Sequence, residues 1–272
     1  MGGTSQLRPG DGDAILSLIE DAWRDDPGPA LPWALFDGLR ALLACGTEAG
    51  FQAYQVVEPG WVEEQGCCED GSRYYSEADE PVSDAEVLAF LELWWRDALC
   101  SHPQRSGDLR SVLLSTDFFP TAQGWRNRPI RSLLNPDVTG VMSISLAAPP
   151  GTVRRLVLGR TGGRVFTERD RAVGTLLRPH IQEIWLDAHR RRAGVPRLTA
   201  REWEVLALTA SGLSHAQIAD RLVVSVSTVH KHMEHVRERL GVSTAAAAAA
   251  IALPYSPGES ARHRAARSVP HG

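Results

Sequence analysis

The chain has 272 residues, is 43% hydrophobic and 23% charged, and carries a formal net charge of −4 at pH 7. No apolar run approaches the ~18 to 20 residues of a membrane span. The opening Met1-Gly2-Gly3-Thr4-Ser5 lacks the basic and apolar regions of an export signal, so a cytoplasmic location is expected. The net charge hides an asymmetry. From His189 onward twelve Arg and Lys stand against six Asp and Glu, a net of +6, which leaves −10 for the preceding residues. Attraction to phosphate is therefore confined to one end.

Asp13 to Trp23 reads as a helix, broken by Asp25-Asp26-Pro27-Gly28-Pro29. Trp33 to Cys45 puts Leu35, Phe36, Leu39, Leu42 and Leu43 on one side and predicts a second amphipathic helix. Phe51 to Val57 alternates as a strand does and is closed by Glu58-Pro59-Gly60, with Arg73 to Ser76 as a partner strand. Asp84 to Cys100, carrying Val87, Leu88, Leu91, Trp94, Trp95 and Leu99, predicts one long third helix. Leu109 to Ser115 is strand-like, and Gln123 to Leu134 predicts a short helix broken near Pro129. Val138 to Ala147 and Val153 to Gly159 form a hairpin around Pro149-Pro150-Gly151-Thr152. Thr167 caps a long helix toward Arg192, whose Val173, Leu176, Leu177, Ile181, Ile184 and Trp185 make an apolar stripe for the sheet, for a dimer seam, or for both in turn. These elements predict an α/β layer, an antiparallel sheet with helices on it.

Within this part the chemistry-bearing residues do not assemble into a site by spacing. Cys45, Cys67, Cys68 and Cys100 lack the paired C-x-x-C pattern of a structural zinc centre, and a cytoplasmic chain is not expected to form disulfides. They read as ordinary small side chains, with no metal and no cofactor expected. Asp117, His102 and His180 show no spacing that a catalytic mechanism demands, so the chain is not expected to be an enzyme. The sole lysine is Lys231, which excludes a phosphorylated receiver here and the G-x-x-x-x-G-K-[ST] loop of an ATPase. Seven of the eight tryptophans, with Tyr54, Tyr74 and Tyr75, also fall here and read as aromatic core in preference to a ligand pocket.

After the basic segment His189 to Arg197, three capped helices follow. Thr199 stands three residues before Glu202, and Ser214 three before Gln217, each the spacing of a capping box. The first helix stops at Gly212, and Ser225 caps a third that runs to Gly241. Short joints between capped helices are the sequence form of a helix-turn-helix, here about 214–233. In the third helix Val229, Met233, Val236 and Leu240 make one buried stripe. Ser227, His230, Lys231, Glu234 and Glu238 lie opposite, with Thr228, His235 and Arg239 along a flank. The first turns of such a helix offer side chains to base edges in the major groove. Beyond Pro254 the tail, with Arg262, Arg264 and Arg267, reads as disordered and weakly basic.

Leu198-Thr199-x-Arg201-Glu202, Gly212-Leu213-Ser214, Ile218-Ala219, Leu222, Val224-Ser225, Thr228-Val229, His232, Val236 and Leu240-Gly241-Val242 resemble the LuxR-type DNA-binding domain. The resemblance implies four helices over 198–253, the third (226–239) entering the major groove of double-stranded DNA and the fourth pairing two subunits as a homodimer. It places Thr228, His230, Lys231 and Glu234 toward DNA, with Ser225 and Arg239 near phosphates; Ser227 and His235 complete the expected contact set. His232 resembles a recurrent histidine that packs. His230 departs from the Lys or Arg common there, and Thr244 leads into six alanines where an Arg is common, a run that still favours a helix.

Thr116-Asp117-Phe118-Phe119, Trp125-Arg126, Phe166-Thr167-Glu168-Arg169-Asp170-Arg171 and Leu177-Arg178-Pro179-His180 resemble the GAF-like domain of actinobacterial LuxR-type regulators. The implied layout is a helical extension over 1–29, a GAF-like sensor and dimerisation domain over 30–188, a basic linker over 189–197, the DNA-binding domain, and a tail over 254–272. Arg160 and the Arg169–Asp170–Arg171 cluster read as salt-bridged structural groups. The partner expected at the sensor is a small-molecule effector, or in the alternative another protein for which the chain is an adaptor; an enzyme domain fused to a DNA-binding module is the remaining alternative.

Overall fold

The computed structural model describes residues 7–45, 48–56, 60–68, 70–77, 84–149 and 151–256. The predicted turn at Glu58-Pro59, Val57, Pro150, the first residues of the expected extension and the tail beyond Ser256 lie outside them. Contacts divide the chain into two compact units, one ending at Ile184 and one beginning at Trp185.

In the first unit α1 (Asp11–Arg24) and α2 (Trp33–Leu43) precede β1 (Glu48–Gln55), β2 (Gly60–Cys68) and β3 (Arg73–Glu77). Next come α3 (Asp84–Arg96), α4 (Ala98–Ser106), β4 (Val112–Leu114), α5 (Ser115–Phe118), α6 (Ala122–Arg126) and a 3-10 turn over Pro129–Leu133. The hairpin β5 (Val138–Ser145) and β6 (Thr152–Thr161) leads into α7 (Glu168–Arg192). The strands form one antiparallel sheet in the order β3-β2-β1-β6-β5-β4.

Register sorts the two faces, because residues paired across antiparallel strands share a side. Phe51 opposes Leu156, and Leu158 opposes both Ala49 and Met142, all buried on one face. Gly174 of α7 lies so close to that face that an added Cβ would meet Val112 and Ile144 at 3.2 to 3.5 Å. On the other face Tyr54 opposes Val153, and both pack with Leu91, Trp94, Cys100 and Ile130. Leu99, Trp125 and Val141 continue that layer.

Several expectations need correction. The third helix is not continuous to Cys100: it ends at Arg96, and Asp97 caps a separate α4 by accepting from the Cys100 amide at 3.1 Å. The same carboxylate takes a two-pronged contact from Arg128 at 2.8 and 2.9 Å. An apolar periodicity carried across Asp97 does not register a side chain that serves as cap and counter-ion at once. Arg73–Glu77 pairs with β2 and not with β1, because the strand Gly60–Cys68 intervenes. The strand expected over Leu109 to Ser115 shortens to Val112–Leu114, and Ser115 already begins α5. At Thr167 the hydroxyl donates to Asp170 Oδ2 at 2.9 Å, so the reach-back comes from the aspartate. Within the stripe of α7, Leu176 is exposed while Val173, Leu177, Ile181, Ile184 and Trp185 are buried.

The Arg160 and Arg169–Asp170–Arg171 cluster is structural, as expected. Arg160 donates to Asp170 Oδ2 at 2.9 Å and to the carbonyl of Leu43 at 3.1 Å. Arg169 reaches the Leu42 carbonyl at 3.2 Å and ion-pairs with Asp11 and Asp170. Two guanidiniums thus satisfy the orphan carbonyls at the C-terminal end of α2 and complement its dipole. Arg171 pairs with Asp117, which also accepts from the Leu114 amide at 2.8 Å.

The second unit takes the C-terminal end of α7 and adds α8 (Ala200–Ala210), α9 (His215–Leu222), α10 (Val226–Leu240) and α11 (Ala245–Ala252). Its core has Val205, Leu206, Ile218, Val229, Val236, Ala248 and Ala252 fully enclosed. No helix among the described residues is long and apolar enough to cross a membrane.

Candidate nucleic-acid interface

Caps fix where each helix of the second unit begins. Thr199 and Glu202 close the first box: the Thr199 amide donates to the Glu202 carboxylate at 2.8 Å, and the Glu202 amide donates to Thr199 Oγ1 at 3.3 Å. Ser214 and Gln217 repeat the arrangement at α9. Arg201 extends from α8 to the carbonyl of Leu222 at 3.0 Å, which ties the end of α9 to the preceding helix. The turn then passes through Val223 in the left-handed region at φ 53°, with the side chain 87% exposed. Ser225 caps α10 by accepting from the Thr228 amide at 3.1 Å, and its hydroxyl lies 2.8 Å from those of Ser227 and Thr228. Gly241 ends the helix at φ 68°, a position where glycine avoids the Cβ strain of the left-handed region.

This geometry presents one side of α10. Ser225, Ser227, His230, Lys231, Glu234 and Arg239 are exposed, while Thr228 and His235 are half-buried on the flank. The stripe beneath holds as expected at Val229, Met233 and Val236, with Leu240 half-buried at its end. Arg239 is engaged within the chain. Its guanidinium donates to the carbonyl of Arg197 at 3.1 Å and lies 3.5 Å from Glu202, a carboxylate only 3% exposed. Lys231 has no hydrogen bond or ion pair among the described residues, so its ammonium projects freely from the second turn of the helix. Arg237, by contrast, turns back onto the carbonyls of Met233 and Ser243, both at 3.3 Å.

Two residues at this surface escaped the sequence reading. Val226, the first residue of α10, is 43% exposed beside the serine cluster. His215, the first residue of α9, places Nδ1 3.1 Å from Nε2 of His230. Fifteen residues separate the two histidines, and only the packing of α9 on α10 brings them together. In the basic segment, Arg190 is occupied by Asp187 at 2.7 Å and by the carbonyl of Val195. His189 stacks on Trp185, with ring centroids 5.0 Å apart and planes 18° from parallel.

The cysteines do not compete as a site. Cys45, Cys67 and Cys100 are buried and Cys68 is half-buried, all as free thiols. Burial pushes the Cys45 thiol up to about 12 and raises those of Cys67 and Cys100, which disfavours the reactive thiolate. Among the described residues no group of three or more His, Cys, Asp or Glu side chains is placed to hold a metal ion.

Comparison with known proteins agrees with this geometry at the C-terminal end. Residues 196–252 match the family model of bacterial regulatory proteins, luxR family. The HTH-type transcriptional regulator MalT of Yersinia pestis (strain Pestoides F) is 39% identical over 70 residues, a match covering 24% of this chain. MalT of Yersinia enterocolitica serotype O:8 / biotype 1B gives the same identity and coverage. The match spans 8% of the length of these relatives. Among solved structures, Escherichia coli SdiA aligns over 90% of this chain and 96% of its own, with a TM-score of 0.35 and 17% identity.

Proposed function

We propose, from the premise that residues 196–252 form a LuxR-family helix-turn-helix domain, that the chain is a cytoplasmic, sequence-specific DNA-binding transcriptional regulator. The observation that carries the reading is the face of α10. Its N-terminal turns are capped and exposed, and Ser227, Lys231 and Glu234 stand clear of the core beneath. Such a face fits the major groove, where the first turns of a recognition helix meet base edges. Lys231 is a cation of that face with no ion-pair partner among the described residues, with Ser225, Ser227, Thr228, His230 and His235 around it. Arg239, held by Glu202 and the Arg197 carbonyl, supports the orientation of α10 and offers its remaining exposed edge to a phosphate.

In this reading the chain acts as a homodimer. A GAF-like sensor over 30–188 is joined through 189–197 to the DNA-binding domain, and an effector or partner bound at the sensor changes the geometry of the two DNA-binding domains. Such an effector acts only if it binds the two arrangements with different affinity. The test is selection of genomic fragments by the full-length chain at two salt concentrations. The expected result is a short, near-palindromic site with half-sites about 10 bp apart, bound more weakly at the higher salt. Binding that shows no sequence preference would contradict the reading.

A further inference from the structure

Two imidazoles face each other across the helix-turn-helix. His215 Nδ1 lies 3.1 Å from His230 Nε2, and the rings are nearly perpendicular, at 83°, with centroids 4.2 Å apart. A bond between two ring nitrogens needs one donor and one acceptor. The pair therefore holds when neutral and when it carries one extra proton, but not when both rings are protonated. Neither ring has another hydrogen bond among the described residues, and neither is paired with a carboxylate. His230 has committed its distal nitrogen to His215 and keeps only Nδ1, the nitrogen nearer its own backbone. His215 keeps its distal Nε2 free.

The surroundings lack a counter-charge for that ring. Burial, His230 and then Arg237 of α10 hold His215 below the usual imidazole range. Along the same helix Lys231 follows His230, and Glu234 stands one turn further on. The charged form of the His215 ring is thus disfavoured in the free protein, on a surface that faces phosphates in the DNA-binding reading.

We propose that His215 and His230 form one proton-accepting unit of the DNA-facing surface, in which His215 Nε2–H donates to a backbone phosphate and His230 positions the ring. The proposal rests on the DNA-binding reading above. On docking, one proton from solvent joins His215. Its Nδ1–H then donates to His230 Nε2, its Nε2–H donates to the phosphate, and His230 stays neutral with its own proton on Nδ1. No covalent bond other than that N–H forms, and uptake stops at one proton because a second would break the bond between the rings. His230, which the sequence suggests as a direct reader, is instead a positioning residue for His215.

The experiment measures affinity of the full-length chain for a duplex it selects, at pH 6, 7 and 8 and constant ionic strength. Uptake of one proton makes the wild-type affinity rise as pH falls, by at most about tenfold per pH unit. His215→Asn retains an amide for His230 but accepts no proton, and is expected to lose most of that slope. His215→Lys carries a fixed charge and is expected to bind at pH 8 about as tightly as the wild type at pH 6, with little slope. If His215→Asn fails to fold by circular dichroism, His215→Lys alone decides. A full wild-type slope retained in either variant would assign the proton to His230, His232 or His235 and overturn the proposal, as would a flat wild-type profile with DNA bound. No DNA binding at any pH is a distinct result, which removes the DNA-binding reading and this proposal with it.

Discussion

Asp170 shows how much of the first unit depends on single charged side chains. Burial opposes its ionisation, but the Thr167 amide and the Arg160 guanidinium outweigh that and hold its carboxyl below the usual range. Asp170→Asn leaves Arg160 buried without its carboxylate and is expected to destabilise the first unit by about 3–5 kcal/mol, measured by urea unfolding. Because the folded value is lowered, the stabilisation is present above the unfolded value of 3.8 and is lost as pH falls through the folded one. His215 behaves in the opposite sense. Its folded value lies below the ordinary imidazole value of 6.5, so the unfolded chain binds more protons there and the second unit loses stability as pH drops below 6.5. A lower melting temperature at pH 5.5 than at 7.5, with the difference reduced in His215→Asn, is the expected result. Val223 is a third case: a β-branched residue in the left-handed region, where such residues are outliers. Relief of about 1–2 kcal/mol of backbone strain, set against the chain entropy glycine adds to the unfolded state, predicts that Val223→Gly raises stability by about 0.5–1 kcal/mol. A melting temperature lowered by that substitution would contradict the strain argument.

At the scale of elements, the helices of the second unit were readable because their signals are local. Thr199 with Glu202, Ser214 with Gln217, and Ser225 each announce a helix start within four residues, and the hydrogen bonds form where the spacing places them. Thr199→Ala is expected to cost about 1 kcal/mol through loss of its cap, and more if the Glu202–Arg239 contact loosens with it, which comparison with Arg239→Ala in thermal unfolding would separate. The sheet was less readable. Strand Gly60–Cys68 carries Glu63, Glu64 and Gln65 in succession, and no alternation marks it; its identity comes from partners on both sides. Gln65 is fully buried because its amide bridges the backbone at Ala30 and Leu31, a role assigned from more than thirty residues away. Asp97 likewise ends a helix whose apolar pattern continues past it, since the carboxylate answers to Arg128, thirty-one residues on in the joint between α6 and the 3-10 turn. The candidate site follows the same rule. The exposed face of α10 was legible from its periodicity, whereas the His215–His230 pair was not.

Across the whole molecule the division of charge is the property most directly tied to function. A net of +6 from His189 onward and −10 before it confines phosphate attraction to the unit that carries the helix-turn-helix, and makes DNA affinity steeply dependent on salt. The free Lys231 ammonium at the exposed face of α10 is the point on which that claim can be examined with one substitution. The direct measurement is the affinity of the wild type and of Lys231→Ala for the selected duplex and for a scrambled duplex, at two salt concentrations. The expected result is a loss of about 1–3 kcal/mol on the selected duplex and a smaller loss on the scrambled one. Equal affinities for both proteins on both duplexes would contradict the assignment of α10 as the helix that reads DNA.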